Sequence, residues 1–173
     1  MDLLNKIRVV PDFPRPGIRF MDITTLLEDG EAFTEVMEGL VARYRDSGIT
    51  RVVGIESRGF IFGAALASHL GVGFVPVRKL GKLPVETVQR SYELEYGEAT
   101  IEIHRDALTA SDRVVIVDDL LATGGTLRAS RDLVQDLGAT IHEVWVLLEL
   151  GFLPGRQGLQ GVSVHSELLI TGD

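Results

Sequence analysis

The feature that most constrains the fold is the run Val114-Val115-Ile116-Val117, which leads directly into two aspartates and a glycine-rich turn. A continuous β-branched run is typical of a strand that is covered on both faces, as in a parallel sheet. Further strand-like and helix-like segments alternate along the chain, with strands at 52–55, 74–77, 100–104 and 141–150 and helices at 31–46, 60–70 and 124–137. This alternation predicts an α/β fold with an open, mainly parallel twisted sheet flanked by helices.

Ligands of such sheets bind outside the carboxyl ends of the strands, so the informative loops follow Ile55, Val77 and Val117. The length of 173 residues suits one domain over residues 1–173. Within it, the proline-rich residues 1–30 predict an N-terminal arm. Residues 78–97 are charged and aromatic and lack a period, so they predict a long loop with room for a hairpin at its end.

Composition excludes several classes of function. The absence of cysteine excludes disulfides, thiolate metal sites and cysteine nucleophiles. A net charge of -8 makes nucleic acid and anionic membranes poor candidate partners. No run of 18 apolar residues and no signal-peptide pattern are present, so we expect a cytoplasmic protein. The four histidines lack metal-like spacing and are expected to be structural.

The turn Ala122-Thr123-Gly124-Gly125-Thr126 predicts an anion site, called here the phosphate cradle. Backbone amides, threonine hydroxyls and the positive end of a helix converge there, which suits a phosphate. The preceding Asp118 and Asp119 would repel phosphate and are better placed to accept hydrogen bonds from sugar hydroxyls. Together these residues predict a ribose 5-phosphate site. The alternative is a tight turn before a capped helix.

A second anion site is indicated by Glu56-Ser57-Arg58-Gly59, which joins a strand to a buried helix. Its amides and the Arg58 guanidinium can hold a phosphate-type anion. A serine nucleophile at Ser57 is disfavoured, because Ile55 stands where the nucleophile-elbow motif requires glycine. Three cations, Arg78, Lys79 and Lys82, follow the next strand on the ligand side, where they could meet the same anion. The alternative interpretation is that they belong to a solvated loop.

These segments together resemble the type I phosphoribosyltransferases, and their adenine-specific branch in particular. Residues 117–126 resemble the family's phosphoribosyl-diphosphate signature, 54–60 its diphosphate loop, and 11–18 its N-terminal arm. Residues 78–84 and 92–97 resemble its flexible hood. Five matching blocks in order make the resemblance specific over most of the chain.

The resemblance implies the type I phosphoribosyltransferase fold and a homodimer that makes AMP and diphosphate from adenine and 5-phosphoribosyl 1-diphosphate. It implies that Asp118 and Asp119 bind the ribose and favour developing positive charge, and that residues 122–126 bind the 5-phosphate. Mg²⁺ is implied as an ion carried by the substrate near Asp118, without a direct protein ligand. The residues implied to hold the diphosphate are Glu56, Ser57, Arg58, Arg78, Lys79 and Lys82.

For the base, the resemblance places Glu95 near N7 of the purine as an acid or base. This is chemically sensible, because the purine loses a ring proton as N9 forms the glycosidic bond. The residues implied to contact the base are Ile18, Arg19, Phe20, Tyr96 and Leu120. A flat aromatic ring such as that of Phe20 suits purine stacking.

One departure from the family pattern concerns the residue before Asp22, which is usually arginine and here is Met21. It keeps open a same-family transferase for another purine. A regulatory protein that senses the sugar diphosphate is a further alternative, because fold alone does not fix function. The absence of a spare segment for nucleic-acid binding argues against that regulator.

Overall fold

The first 30 residues contain regular structure in spite of their prolines. The computed structural model describes residues 1–94 and 96–172, and the chain divides into two compact units, residues 1–43 and 44–173. The first unit holds a short 3₁₀ helix, strands β1 and β2, helix α1 and almost all of helix α2, with the bounds Leu3–Lys6, Arg8–Pro11, Arg19–Asp22, Thr24–Glu28 and Gly30–Tyr44. The prediction of one domain over residues 1–173 stays a prediction.

Strands β1 and β2 form an antiparallel ribbon where the sequence predicted an arm without strands. Arg8 lies opposite Asp22, and Pro11 lies opposite Arg19. Pro11 ends β1, a position where the missing amide hydrogen of proline is tolerated. The Arg8 guanidinium also binds the Asp22 carboxylate, at 2.7 Å from Nη2 to Oδ2, which fixes the register of the ribbon.

Helix α2 matches the helix predicted over residues 31–46. Its buried residues recur three or four positions apart, and they are Ala32, Val36, Met37, Leu40, Val41 and Tyr44. Asp29 caps the helix, because its Oδ1 accepts hydrogen bonds from the amides of Glu31 and Ala32, each at 3.1 Å. The acidic residues of this helix that face away from the buried stripe are exposed.

The second unit is built on a seven-stranded sheet. Its elements in chain order are β3 (Arg51–Ile55), α3 (Gly59–Leu70), β4 (Gly73–Lys79), β5 (Thr87–Glu93), β6 (Glu98–His104), β7 (Arg113–Leu121), α4 (Gly125–Asp136), β8 (Thr140–Leu150), a 3₁₀ helix (Gly155–Leu159) and β9 (Val164–Ile170). The strand order is β5-β6-β4-β3-β7-β8-β9. Pairs β3–β4, β3–β7, β7–β8 and β8–β9 are parallel, and β6 pairs antiparallel with both β4 and β5.

Helices cover both faces of this sheet. Leu127 and Leu133 of α4 belong to a buried cluster with Ile116 and Val146 of the strands. Trp145, which directly precedes Val146 in β8, packs on Phe62 of α3 with ring centroids 5.6 Å apart. Because neighbouring residues of a strand point to opposite faces, α3 and α4 lie on opposite sides. The predicted mainly parallel α/β sheet flanked by helices is confirmed.

Three local differences separate the structure from the sequence prediction. The sequence left room for a hairpin at the end of residues 78–97 without assigning a strand, and the structure has that hairpin, with β5 over residues 87–93 paired to β6. Strand β7 runs on to Leu121, so Asp118 and Asp119 lie in the strand and not in the loop after it. The sequence assigned no element beyond residue 150, where the structure has a 3₁₀ helix and β9. Within the described residues, no helix combines the length and apolarity that crossing a membrane requires.

Candidate active site

Three adjacent parallel strands, β4, β3 and β7, end at the same edge of the sheet and open into a cavity of about 480 Å³. The predicted site residues that line this cavity are Glu56, Ser57, Arg58, Arg78, Lys79, Asp118, Asp119 and Thr126. The rest of the lining is formed by Ile55, Val77, Tyr92 and Ile101. The predicted diphosphate loop and Thr126 of the phosphate cradle therefore face one space, whereas residues 122–125 of the cradle lie outside this lining. Parallel pairing in neighbouring positions brings the two loops together although they lie about 60 residues apart in the sequence.

The phosphate cradle turns at Gly124, which has the left-handed φ of 82° that favours glycine. Helix α4 begins at Gly125, and its first backbone hydrogen bond runs from Arg128 N to Gly124 O and is 2.9 Å long. The amides before Arg128 thus have no partner within the helix. Thr126 adds a hydroxyl at the cavity wall. This is the geometry of an anion site, and phosphate binding there stays a prediction.

A second turn, the 3₁₀ helix Gly155–Leu159, supports the cradle from behind, and we call it the rear turn. A Cβ at Gly155 would lie only 2.2 Å from the Ala122 carbonyl oxygen, and one at Gly124 only 2.7 Å from the Gly155 carbonyl oxygen. Two glycines therefore allow the two backbones to touch. No sequence signal pointed to this contact, because the partners lie on separate loops about 30 residues apart.

Arg156 holds the rear turn to the ends of β8 and β9. Its guanidinium binds both carboxylate oxygens of the buried Glu149, the Val164 carbonyl at 2.9 Å and the Ser166 hydroxyl at 3.0 Å. The bond to Arg156 lowers the pKa of Glu149 against the opposing effect of burial. The rear turn is thus fixed by a charged contact and not by apolar packing alone.

The two aspartates of β7 differ in their surroundings. Asp118 is buried, and its Oδ1 accepts a hydrogen bond from the Asp119 amide at 2.9 Å. Burial, followed by the neighbouring charge of Asp119, raises the pKa of Asp118 well above its ordinary value of 3.8. Asp119 instead contacts Arg58, with 2.5 Å between Nε and Oδ2. The charged form of Asp118 is therefore less stable than that of an exposed carboxyl, while Asp119 is in an ion pair with Arg58.

Gly59 lets the first turn of α3 approach the end of β7. A Cβ at this position would lie 2.7 Å from the Val117 carbonyl oxygen and 3.0 Å from Asp118 Oδ1. Any side chain at residue 59 would therefore push the predicted diphosphate loop away from the paired acids.

The cations predicted to meet the diphosphate are placed by carboxylates. Glu56 accepts two hydrogen bonds from the Arg78 guanidinium, each 3.2 Å long, and one from the Lys79 amide at 3.1 Å. The bond to Arg78 lowers the pKa of Glu56 below its ordinary 4.5. Glu56 thus positions Arg78, and its own carboxylate would repel a diphosphate. The side chain of Lys82 is exposed and is not part of the cavity wall described here.

Comparison with known proteins places this site in a family. Residues 24–151 match the phosphoribosyl transferase domain. An adenine phosphoribosyltransferase of Pectobacterium carotovorum is 55% identical over 166 residues, which are 96% of this chain and 90% of that protein. This chain belongs to the type I phosphoribosyltransferase family, in its adenine phosphoribosyltransferase branch. The family predicted from the five sequence blocks is confirmed.

Solved structures of the family superpose closely on this chain. The adenine phosphoribosyltransferase of Thermoanaerobacter pseudethanolicus has a TM-score of 0.94 and 50% identity, with 98% of each chain covered. That of Saccharomyces cerevisiae, crystallised with an imino-altritol bisphosphate and adenine, has a TM-score of 0.90 and 40% identity, with 95% of this chain and 96% of that chain covered.

Tyr92 lines the cavity, and the sequence did not predict it as a site residue. Its hydroxyl accepts a hydrogen bond from Thr126 Oγ1 at 2.9 Å. The signal was a period of two in β5, since Val88 and Tyr92 both pack on the buried cluster of the sheet. Exposed Gln89, Arg90 and Ser91 between them hid that period.

The residues predicted to contact the base are distributed differently. Ile18, Arg19 and Phe20 belong to the first unit, where the Phe20 ring meets Phe13 edge to face with centroids 5.1 Å apart. Tyr96 is exposed between β5 and β6, and Leu120 is half-buried in β7. Neither is among the cavity residues given above. Glu95 lies outside the described residues. A base-binding role for all these residues stays a prediction.

Proposed function

We propose that this chain transfers the phosphoribosyl group of 5-phosphoribosyl 1-diphosphate to adenine, giving AMP and diphosphate in purine salvage. The observation that carries this proposal is the 55% identity with an adenine phosphoribosyltransferase over 96% of the chain. The cavity supports it independently, because Thr126 of the predicted phosphate cradle, two acids and a group of cations line it at one sheet edge. A sugar that carries a phosphate at one end and a diphosphate at the other matches that order of charges.

In this proposal the phosphate cradle orients the sugar. The amides of the first turn of α4 donate to the oxygens of the 5-phosphate, where the positive end of the helix favours negative charge. The β7 carboxyls then face the ribose. Burial, followed by the neighbouring charge of Asp119, raises the pKa of Asp118, and when it is protonated this carboxyl can donate a hydrogen bond to a sugar hydroxyl as well as accept one. The ribose is thereby fixed between the cradle and the cations.

The transfer breaks the C1–O bond to the diphosphate, whose oxygen keeps the electron pair, and forms a bond from purine N9 to C1. Positive charge grows on the sugar ring as the bond breaks. Negative carboxylate charge at Asp119 favours that state electrostatically. Arg58 and Arg78 line the cavity and would balance the charge of the departing diphosphate. Glu95 is proposed to accept the proton that the purine loses.

Mg²⁺ is proposed as an ion that the sugar diphosphate brings with it. The described residues contain no group of three or more potential metal ligands among His, Asp and Glu, and two carboxylates, Asp118 and Asp119, stand in the cavity. Such a setting fits a hard cation that is held by phosphate oxygens and water and lies near Asp118 without a direct protein ligand. When bound, Mg²⁺ would neutralise charge on the leaving diphosphate.

Adenine as the base is supported by the identities of the relatives, whereas Met21 supports one alternative. Met21 is half-buried in β2, so an arginine contribution expected for the branch is missing from this position. A transferase for another purine remains the second candidate for that reason. We also propose a homodimer in the cytoplasm, on the strength of family membership alone.

The test is product formation with four bases. The enzyme is incubated with 5-phosphoribosyl 1-diphosphate, Mg²⁺ and adenine, hypoxanthine, guanine or orotate, and nucleotides are separated by chromatography. We expect AMP from adenine and at least tenfold lower kcat/KM with the other bases. Nucleotide formed from hypoxanthine or guanine at a higher kcat/KM would assign the second candidate. If none of the four bases gave a nucleotide, the result would refute a transferase.

A further inference from the structure

The ring of Tyr92 is fixed against the phosphate cradle. Tyr92 lies near the end of β5, and a Cβ placed at Gly125 would be only 2.8 Å from its Cδ2 atom. Gly125 is the first residue of α4 and follows the left-handed Gly124. The absence of a side chain at residue 125 therefore makes room for the tyrosine ring at the start of this helix.

The hydroxyl of Tyr92 points at the cavity with its own hydrogen to donate. Thr126 Oγ1 donates to the phenol oxygen at 2.9 Å, so the phenol acts as acceptor in that bond. A phenol carries one hydrogen besides its acceptor lone pairs. Within residues 1–94 and 96–172 no acceptor for that hydrogen is found, although the side chain lines the cavity. A donor is thus available within reach of the same turn that carries the cradle amides.

Strand β5 is also tied to the far end of α4. Arg90 Nη2 lies 2.5 Å from Asp136 Oδ2, and Asp136 is the last residue of the helix. Arg90 and Tyr92 are two positions apart and so share one face of the strand. The strand therefore lies along α4 between an ion pair at one end and the tyrosine contact at the other. This anchoring keeps the phenol beside the cradle.

We propose that Tyr92 is a ligand of the sugar 5-phosphate, donating its phenol hydrogen to a phosphate oxygen beside the amides of residues 124–127. The proposal rests on the phosphate site of the proposed function and adds to it a donor from the β5–β6 hairpin. Glu95 follows Tyr92 by three residues in the sequence. An occupied cradle consequently holds the strand that leads to the proposed purine acid or base.

Tyr92→Phe tests this directly, because it removes the hydroxyl and keeps the ring that packs on Gly125. A hydrogen bond to a charged group is worth enough to change affinity about tenfold or more. We expect about a tenfold rise in the Kd of ribose 5-phosphate, measured by calorimetry on the whole protein. The Kd of inorganic diphosphate should stay within twofold. In turnover, the KM for the sugar diphosphate should rise while the KM for adenine stays constant.

Ser91→Ala is the matched control. It removes a hydroxyl from the neighbouring residue of the same strand, and that hydroxyl contacts Thr100 Oγ1 at 2.8 Å, on the other face. We expect unchanged Kd values for both ligands. A similar rise in both Kd values in Tyr92→Phe would overturn the proposal, because it would indicate a general distortion of the cavity.

Other outcomes separate this proposal from the proposed function. Binding of ribose 5-phosphate that is equally tight in the wild type and Tyr92→Phe would overturn the role of Tyr92 and leave the transferase intact. Tight binding that depends on the hydroxyl, without AMP formation by the wild type, would support Tyr92 and refute the transferase. No binding of ribose 5-phosphate by the wild type would overturn the phosphate site itself.

Discussion

Gly155→Ala should damage the proposed sugar-phosphate site although residue 155 is not among the residues that line the cavity. The new Cβ would start 2.2 Å from the Ala122 carbonyl oxygen and 2.8 Å from Leu121 Cδ1. Real Cβ atoms stay at least 3.0 Å from such neighbours, so the rear turn and the cradle must separate by about 0.8 Å. The φ of Gly155 is not in the left-handed region, so alanine meets this clash and not backbone strain.

Two magnitudes follow from that displacement. Overpacking of a well-filled region costs about 1–3 kcal/mol of stability, which corresponds to roughly 2–12 °C in Tm at this chain length. A misplacement near 1 Å in a catalytic arrangement costs up to about 100-fold in rate. We therefore expect kcat/KM for the sugar diphosphate to fall by about 10- to 100-fold, measured at a temperature where thermal melting shows the variant folded.

Gly39→Ala supplies the control, since it makes the same chemical change in helix α2. Nothing lies within 4 Å of a Cβ at residue 39, and the position is exposed. Replacing glycine by alanine in a helix interior stabilises by about 0.5–1 kcal/mol. This variant should melt slightly higher and keep its kinetics. A Gly155→Ala enzyme with wild-type Tm and kcat/KM within twofold of wild type would refute the role assigned to the rear turn.

Two further predictions concern charge. Asp118→Asn should raise Tm at neutral pH and lower kcat at least tenfold. Because the folded-state pKa of Asp118 lies above its ordinary 3.8, the wild-type protein has its full stability below pH 3.8 and loses part of it as pH rises through the raised pKa. A Tm difference between the variant and the wild type that stays at zero from pH 3 to pH 8 would contradict this prediction. Arg156→Ala should lower Tm at neutral pH, because the buried Glu149 loses its partner. Since the folded-state pKa of Glu149 lies below its ordinary 4.5, its contribution is present above that value and lost as pH falls through the lowered pKa. The difference in Tm between wild type and Arg156→Ala should shrink in acid, and a constant difference down to pH 3 would argue against the ion pair.

The structural elements around the candidate site that the sequence predicted correctly are those built by local segments. The run from Val114 to Thr126 contains its own strand, turn and helix start, so spacing and residue type were enough to predict them. The convergence of residues 56–58 with the same edge followed from parallel pairing. For these segments, local preference and tertiary context agree.

The parts that the sequence missed depend on contacts between distant segments. Strand β5 is an edge strand whose central residues are polar, so its formation depends on pairing with β6 and packing on α4. The fit of Gly155 against Ala122 likewise joins separate loops, and no local pattern around either residue predicts this contact. The end of β7 was placed too early because Asp118 and Asp119 are unusual in a strand, and the parallel pairing of Asp118 with Val146 overrides that preference.

Arg58 and Arg78 are each in an ion pair with an acid of the cavity, so an anion that binds either arginine also changes the surroundings of that acid. Arg58 binds Asp119, and Arg78 binds Glu56, so two cations of the cavity are already neutralised. An anion that binds Arg58 competes with Asp119 for the same guanidinium. To the extent that the anion weakens this ion pair, the negative charge of Asp119 is less compensated. We therefore expect that a diphosphate bound at Arg58 would make the electrostatic potential beside Asp119 more negative. In the proposed reaction, the site would then stabilise a cationic sugar carbon most strongly once the sugar diphosphate is in place.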